Sequence, residues 1–389
     1  MKTLSGTLKC DLNGMQFFKY HASFPNLKFR MNDNPALLID LKKIEQNART
    51  ITTLCRQHGI SVAAVTKVTC AIPEVAEAML RAGCTMLADS RIENLQRLRT
   101  KQFDVEYLLL RLPMISEAED VVRSADISLN SEVATIKALN SAAQRLRTTH
   151  KIILMIDLGD LREGIWPDTL RESVDEIVRC DHIIFEGIGC NLACYAGVIP
   201  SPENMNFLLQ QKNIIEAEYN IALKIISGGN SSGLELLASG KMPAGINHFR
   251  VGETILLGRN VIDRSAFPGT HQDTFVLRGE IIEHKRKPSA PIGEIGQDAF
   301  GNTPKFENKG LRLRAILGVG RQDANIEGLE PLDKQIEILG ASSDHLLVDI
   351  TDSHQNYQVG DTIDFLPNYA SVLAASTSKY VKKIFVKTF

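Results

Sequence analysis

Three short segments hold the side chains best suited to chemistry, and a fourth resembles a metal site. AVTKVTC places Lys67 behind a run of apolar or small residues. An amine there either lies on the surface or turns inward, where it can form a Schiff base with a carbonyl carbon. SGGNSSG (227–233) opens a helix, and its small residues let backbone approach an anion closely. Asn230, Ser231 and Ser232 can cap that helix while its free N–H groups face a phosphate, or they form only a flexible capped turn. Arg250-Val-Gly252-Glu253 again sets a glycine at a helix start. Cys180-x-His182 and Cys190-x3-Cys194 have the right atoms for a metal. The strand between them separates its ends by roughly 25 Å at about 3.3 Å per residue. Zinc ligands must converge, so no metal site is expected.

These groups can meet only on a common scaffold, and the hydrophobic pattern supplies one. Apolar, β-branched runs at 61–68, 85–89, 106–112, 127–130, 152–159, 182–189, 224–229 and 246–252 each precede a helical pattern. Eight strand–helix units of this kind close a parallel barrel. The run ALLIDL (36–41) reads as one more strand before them. Beyond residue 262 the sequence turns to short Gly- and Pro-punctuated strands: TFVLRGEII, LRLRAILGVG, IEILG, HLLVDIT, TIDFL and YASVLAAS. The fold class is therefore α/β, a TIM-type (β/α)8 barrel followed by a smaller all-β domain. The expected divisions are an N-terminal arm over 1–34, the barrel over 35–262 and the β domain over 263–389. A long connection, 287–310, interrupts the second domain.

Composition agrees and narrows the partners. The chain has 389 residues, 44% hydrophobic and 23% charged, which is globular. Lys+Arg 44 against Asp+Glu 46 leaves a charge of -2, which excludes a strongly basic nucleic-acid binder and gives no reason for a membrane surface. The 7 cysteines are few and irregular for a disulfide scaffold, no signal peptide or membrane span is evident, and the cytoplasm is expected.

In a barrel, functional groups sit at the C-terminal strand ends, and the seventh and eighth loops commonly hold a phosphate. Lys67 ends the first strand, SGGNSSG follows the seventh and Arg250-Val-Gly252-Glu253 ends the eighth. A reactive amine with a phosphate cradle in one barrel mouth points to pyridoxal 5'-phosphate. Arginine keeps its proton below about pH 12, so Arg250 cannot hand a proton to a cofactor held beside it. That favours reversible proton exchange over chemistry needing a strong electron sink.

The chain resembles the alanine-racemase-like (fold type III) pyridoxal-phosphate enzymes, and among them the ornithine racemase branch. The segments that carry the resemblance are AVTKVTC, LADSRIENL, IDLGDLREG, GIGCNLACYAGVIPS, ISGGNSSGLELL, GINHFRVGETILLG and LGASSDHLLVDITD. The resemblance implies that Lys67 binds the cofactor aldehyde and works as an acid/base on one face of the substrate. Ser231, Ser232, Gly252 and Glu253 would form the phosphate pocket, beside Asn230. Arg250 would face the pyridine nitrogen and Arg162 the phenolic oxygen, and Asn191 stands where many relatives have a histidine against the ring. Alanine racemases place a tyrosine from the partner's β domain on the other face, but that segment here, AILGVGRQDAN, carries Arg321. The second base is open among Asp323, Cys194, Tyr195 and His345. Ser343 and Asp344 match a substrate-touching segment, and Asp344 would suit a distal ammonium.

The implied protein is a homodimer with shared active sites that interconverts L- and D-forms of a small basic amino acid, ornithine or lysine. Three alternatives share the architecture or the barrel. A diamino-acid decarboxylase is disfavoured by Arg250 and Ser343, and a barrel-only cofactor carrier by the second domain. An aldolase using Lys67 directly on substrate would need no cofactor.

Overall fold

The computed structural model describes residues 33–298 and 300–386. All but the last two residues of the expected arm lie outside these. Eight parallel strands close into a barrel in chain order: β2 Ser61–Val65, β3 Met86–Asp89, β4 Glu106–Leu109, β5 Ile127–Asn130, β6 His150–Met155, β7 Ile183–Gly189, β8 Ile225–Ser227 and β9 His248–Val251. Alternation along each strand sorts the side chains. Ala63, Val65, Met86, Leu108, Leu129 and Met155 pack together inside the barrel. Val62, Ala64, Leu87, Leu109 and Leu154 face the helical layer instead.

The run at 36–40 corrects the expected division of the chain. It forms β1, Ala36–Asp40, which pairs not with the barrel but with the second sheet. A strand buried on both faces reads as the same apolar run in either place, so its partners cannot be told from its composition. That sheet also contains β10 Phe275–Pro288, β11 Leu311–Leu317, β12 Leu329–Pro331, β13 Glu337–Ala341, β14 Leu346–Asp349, β15 Thr362–Pro367 and β16 Lys382–Val386. Their order is β12-β15-β10-β11-β14-β13, with β1 between β10 (antiparallel) and β16 (parallel). The 14-residue β10 spans both halves of the sheet, and Arg278 on it makes a bidentate pair with Asp364 on β15, 2.7 and 2.8 Å. Asp40 ends β1 and caps the helix Leu41–Gln57 by accepting from the Lys42 and Lys43 N–H groups, both 3.0 Å.

YASVLAAS, expected as a strand, is the helix Tyr369–Thr377. The cause is local. Asn368 accepts from Ser371 N at 3.0 Å as an N-cap, and alanine and leucine favour the helix that follows. The domain is otherwise built from strands, and this helix returns toward the barrel, packing against the turn Lys67–Thr69.

Two histidines lie buried in the barrel wall. His150 Nε2 meets Ser128 Oγ at 2.8 Å, and burial pushes its pKa down to about 4. As pH falls from about 6.5 toward 4, the unfolded chain takes up a proton that the folded chain refuses. Stability therefore falls by about 1.4 kcal/mol per pH unit for such a group. A His150→Asn variant should be less stable than the parent at pH 8, and the gap should narrow as pH is lowered to about 5. Urea midpoints would measure this, and parallel pH curves for the two proteins would refute it.

Candidate functional site

At the C-terminal rim of the barrel lies a cavity of about 290 Å³. Lys67 enters it from the 3-10 turn after β2. The preceding Thr66 is tied to the next strand, its Oγ1 donating to Asp89 Oδ2 at 2.7 Å. Asp89 is fully buried; burial pushes its pKa up, opposed by hydrogen bonds from Asn94 and Thr66. Asp89 has no motif of its own in the sequence, yet it holds the backbone that carries the amine.

The anion-binding end forms where the loops after β7 and β8 are stitched together. Asn230 Nδ2 donates to Asn191 Oδ1 at 3.0 Å and to Leu192 O at 2.9 Å, while its Oδ1 accepts from Ser232 N at 2.7 Å. Ser231 Oγ accepts from Thr254 N at 3.4 Å, which joins this loop to the helix after β9. Gly252 permits that junction, since a Cβ there would lie 3.0 Å from Val65 Cβ. Asn230, Ser231, Gly252 and Glu253 line the cavity, and Ser232 is buried behind them.

Arg250 reaches the cavity floor almost fully buried. Its Nη1 donates to Ser227 Oγ and its Nη2 to Cys190 O at 2.8 Å. Burial lowers its pKa, but an arginine stays a cation. On the same strand face His248 Nδ1 lies 2.9 Å from Ser227 Oγ. Burial, then the charge of Arg250, pushes its pKa down to about 3, so this histidine is neutral. Ser227 Oγ therefore links the guanidinium to the neutral imidazole. The polar layer of the barrel is thus Arg250, Ser227 and His248, opposite an apolar half.

Across the mouth, Arg162 is bound by both carboxylate oxygens of Glu163 and touches Cys194 Sγ. Asp160, 1% exposed, shapes this wall by accepting from the Cys194, Tyr195 and Val198 N–H groups at 2.9 to 3.2 Å. Asn191 Nδ2 is buried with no partner among the described residues, a donor at the cavity wall. Tyr369 closes the near side, its ring centroid 5.9 Å from Lys67 Nζ. Burial, then the Glu253 carboxylate, raises its pKa. Tyr369 and Arg264 line the cavity without having been anticipated. The first was hidden by reading its helix as a strand, and the second has no motif around it.

The other expected residues lie elsewhere. Tyr195 is 75% exposed and outside the cavity lining. Asp323 is buried in the second sheet, accepting from Gly320 N and Ser378 Oγ. Arg321 pairs with Glu327, and His345 is exposed beside Ser342. Asp344 accepts from Ser343 Oγ and from Gln322 Nε2, both 2.7 Å. Gly320 allows this cluster, because a Cβ would come within 2.1 Å of Ser343 O. The segments around 321 and 344 therefore form one exposed polar turn, separate from the cavity of the same chain. Strand β7 stands between Cys180 and Cys190.

A parallel barrel with a lysine, a double-loop amide cradle and a floor arginine defines a class. The chain belongs to the family described as alanine racemase, N-terminal domain, which matches residues 39–260. Over 350 residues it is 47% identical to the ornithine racemase of Acetoanaerobium sticklandii, covering 90% of this chain and 99% of that one. It is 40% identical to the lysine racemase of Thermotoga maritima over 351 residues, 90% of this chain and 98% of that one. The solved alanine racemase of Bartonella henselae, with covalently bound pyridoxal phosphate, shares the fold with a TM-score of 0.68 at 20% identity. That match covers 90% of this chain and 99% of the other.

Asp160→Ala removes the acceptor of three backbone N–H groups. A loss of about 1–3 kcal/mol in stability is expected, with faster proteolytic cleavage between 193 and 199. Cleavage no faster than in the parent would show that the loop holds its shape without Asp160.

Proposed function

We propose that the protein is a pyridoxal-phosphate-dependent racemase of a basic amino acid, ornithine or lysine. The observation that supports this most directly is one cavity lined by a lysine amine, the amides and hydroxyls of two barrel loops, and a buried arginine. The donor set fits the cofactor: Lys67 for its aldehyde, the Ser231 and Gly252 loops for its phosphate, Arg250 for its ring nitrogen, Arg162 for its phenolic oxygen. The unpartnered Asn191 Nδ2 gives the same cavity a further donor for the cofactor. Two relatives that each cover 90% of this chain are named for ornithine and lysine.

When bound, the cofactor draws electron density from the substrate's Cα and makes its proton removable. Lys67 Nζ takes or returns that proton on one face. Cys194 is our assignment for the other face. It lines the same cavity, follows β7, and so lies three strands round the closed barrel from β2 and Lys67. In one direction of the reaction the Lys67 amine becomes an ammonium while the Cys194 thiol gives up its proton. The reverse direction, or exchange with water at the rim, restores both. Arg250, pinned by Ser227 and the Cys190 carbonyl, offers a fixed positive charge without releasing a proton.

A second copy would complete the site. Exposed apolar side chains, among them Ile115, Leu161, Trp166 and Ile199, stand in the loops after β4, β6 and β7 at the barrel rim. Exposed apolar side chains at the rim favour a covering partner surface. The polar turn bearing Arg321, Ser343 and Asp344 is that partner surface, with Asp344 opposite the substrate's distal ammonium. The described cysteines are free, which suits a reducing compartment such as the cytoplasm.

Enantiopure L-ornithine or L-lysine should lose optical rotation with the purified protein, faster than L-alanine, and Lys67→Ala should abolish the visible cofactor absorbance. A colourless protein that does not respond to added pyridoxal phosphate would sink the reading. Cys194→Ser should lower turnover by about 10²–10⁴-fold with cofactor absorbance retained. Mixing inactive Lys67→Ala and Asp344→Ala chains should restore part of the activity. No recovery in mixed dimers would remove Asp344 from the shared site.

A further inference from the structure

One ion pair at the anion-binding end joins Glu253 to an arginine that has no part in the chemistry above. Glu253 opens the helix after β9 and lines the cavity, and its carboxylate accepts from Arg264 Nη1. Arg264 lines the same cavity. A second cavity of about 490 Å³ adjoins it between the barrel and the second sheet, and Glu253, Arg264 and Tyr369 line both. The pair is therefore part of the partition between two open spaces.

A carboxylate is an unfavourable neighbour for a phosphate, because like charges a few ångströms apart repel by several kcal/mol near a protein surface. Burial raises the Glu253 pKa, and the charges of Arg264 and Lys67 oppose the rise. The other cations of the cavity are committed. Arg162 is bound by Glu163, Arg250 by Ser227 and Cys190 O, and Lys67 is the amine of the reaction. Ser231 and Gly252 contribute only a hydroxyl and backbone N–H groups. Arg264 is the cation remaining at that end, and Glu253 uses one of its five donors.

The loop that bears Arg264 is built firmly. Arg264 N donates to Asn260 O and Asn260 N to Ser265 O, both 2.9 Å, while Asp263 Oδ1 accepts from Ser265 N at 3.0 Å. Within it Arg264 has φ +66, a left-handed conformation that costs a non-glycine residue about 1–2 kcal/mol. Strain of this kind persists where the surroundings impose it and collects at ligand clamps.

We infer that Arg264 is a phosphate-binding residue: anchored by Glu253, its guanidinium bridges that carboxylate and the phosphate group of the cofactor. The inference rests on the cofactor reading above and adds a side-chain charge to a cradle of amides and hydroxyls. Glu253 acts as the positioning residue.

The test compares equilibrium binding of pyridoxal phosphate and of pyridoxal, which lacks the phosphate, to cofactor-stripped protein. Arg264→Met should weaken pyridoxal phosphate binding by about 10- to 100-fold, the range for a charge-assisted hydrogen bond, and leave pyridoxal binding unchanged. Arg264→Lys should recover part of the loss, and the thermal midpoint of each stripped variant should match the parent. Equal weakening for both compounds, or none for either, would overturn the inference. A parent chain that binds neither compound would overturn the cofactor reading itself, and this inference with it.

Discussion

Because eight parallel strands close on one another, every strand releases its carboxyl end at one rim, and each chemical group of the site inherits its place from that closure. Lys67 after β2, Arg162 after β6, Cys194 after β7, Ser231 after β8 and Gly252 after β9 are far apart in sequence but open on one cavity. The barrel has no edge to fray, so loops of different length can differ in chemistry while their roots stay fixed.

The same closure restricts what may fill the barrel. One half of its interior is ordinary aliphatic packing, with Leu108, Leu129 and Met155 in contact. The other half contains Arg250, Ser227 and His248, and β7 contributes Gly189 at this level. A Cβ on Gly189 would already lie 3.0 Å from Ser227 Cβ. A buried guanidinium is tolerated because its N–H groups find a hydroxyl and a carbonyl, and because the adjacent imidazole remains uncharged. Electrostatic order at the floor and hydroxyl-and-amide order at the loops are separate solutions, joined through the Cys190–Leu192 backbone.

What could be read from the sequence depended on how local its cause was. Lys67, Ser231 and Gly252 announce themselves because an amine at a strand end and small residues at a helix start have chemical meaning within seven residues. The barrel was legible because its strands recur with helices between them. β1 was misplaced because its burial on both faces looks the same in either sheet. Tyr369 is hidden because the apolar run that follows it suits a strand as well as a helix, and only the Asn368 cap decides for the helix. Asp89, Asp160 and Arg264 have no local signature at all. Each matters through a partner 11 to 38 residues away, and only the folded chain brings those partners together.

The pairing of β1 with β16 has a bearing on how the molecule comes into being. Ala36 lies beside Lys382 and Asp40 beside Val386, so the sheet that begins the described chain is finished by its last strand. The barrel is an insertion within a discontinuous domain. A ribosome will have released a complete barrel while Leu37, Leu38 and Ile39, each worth about 1.5–3 kcal/mol when buried, still wait for their neighbours. Such long-range closure slows folding and leaves an apolar strand uncovered in any shortened chain. The parallel pairing of β1 with β16 thus couples the stability of the second sheet to two segments more than 340 residues apart.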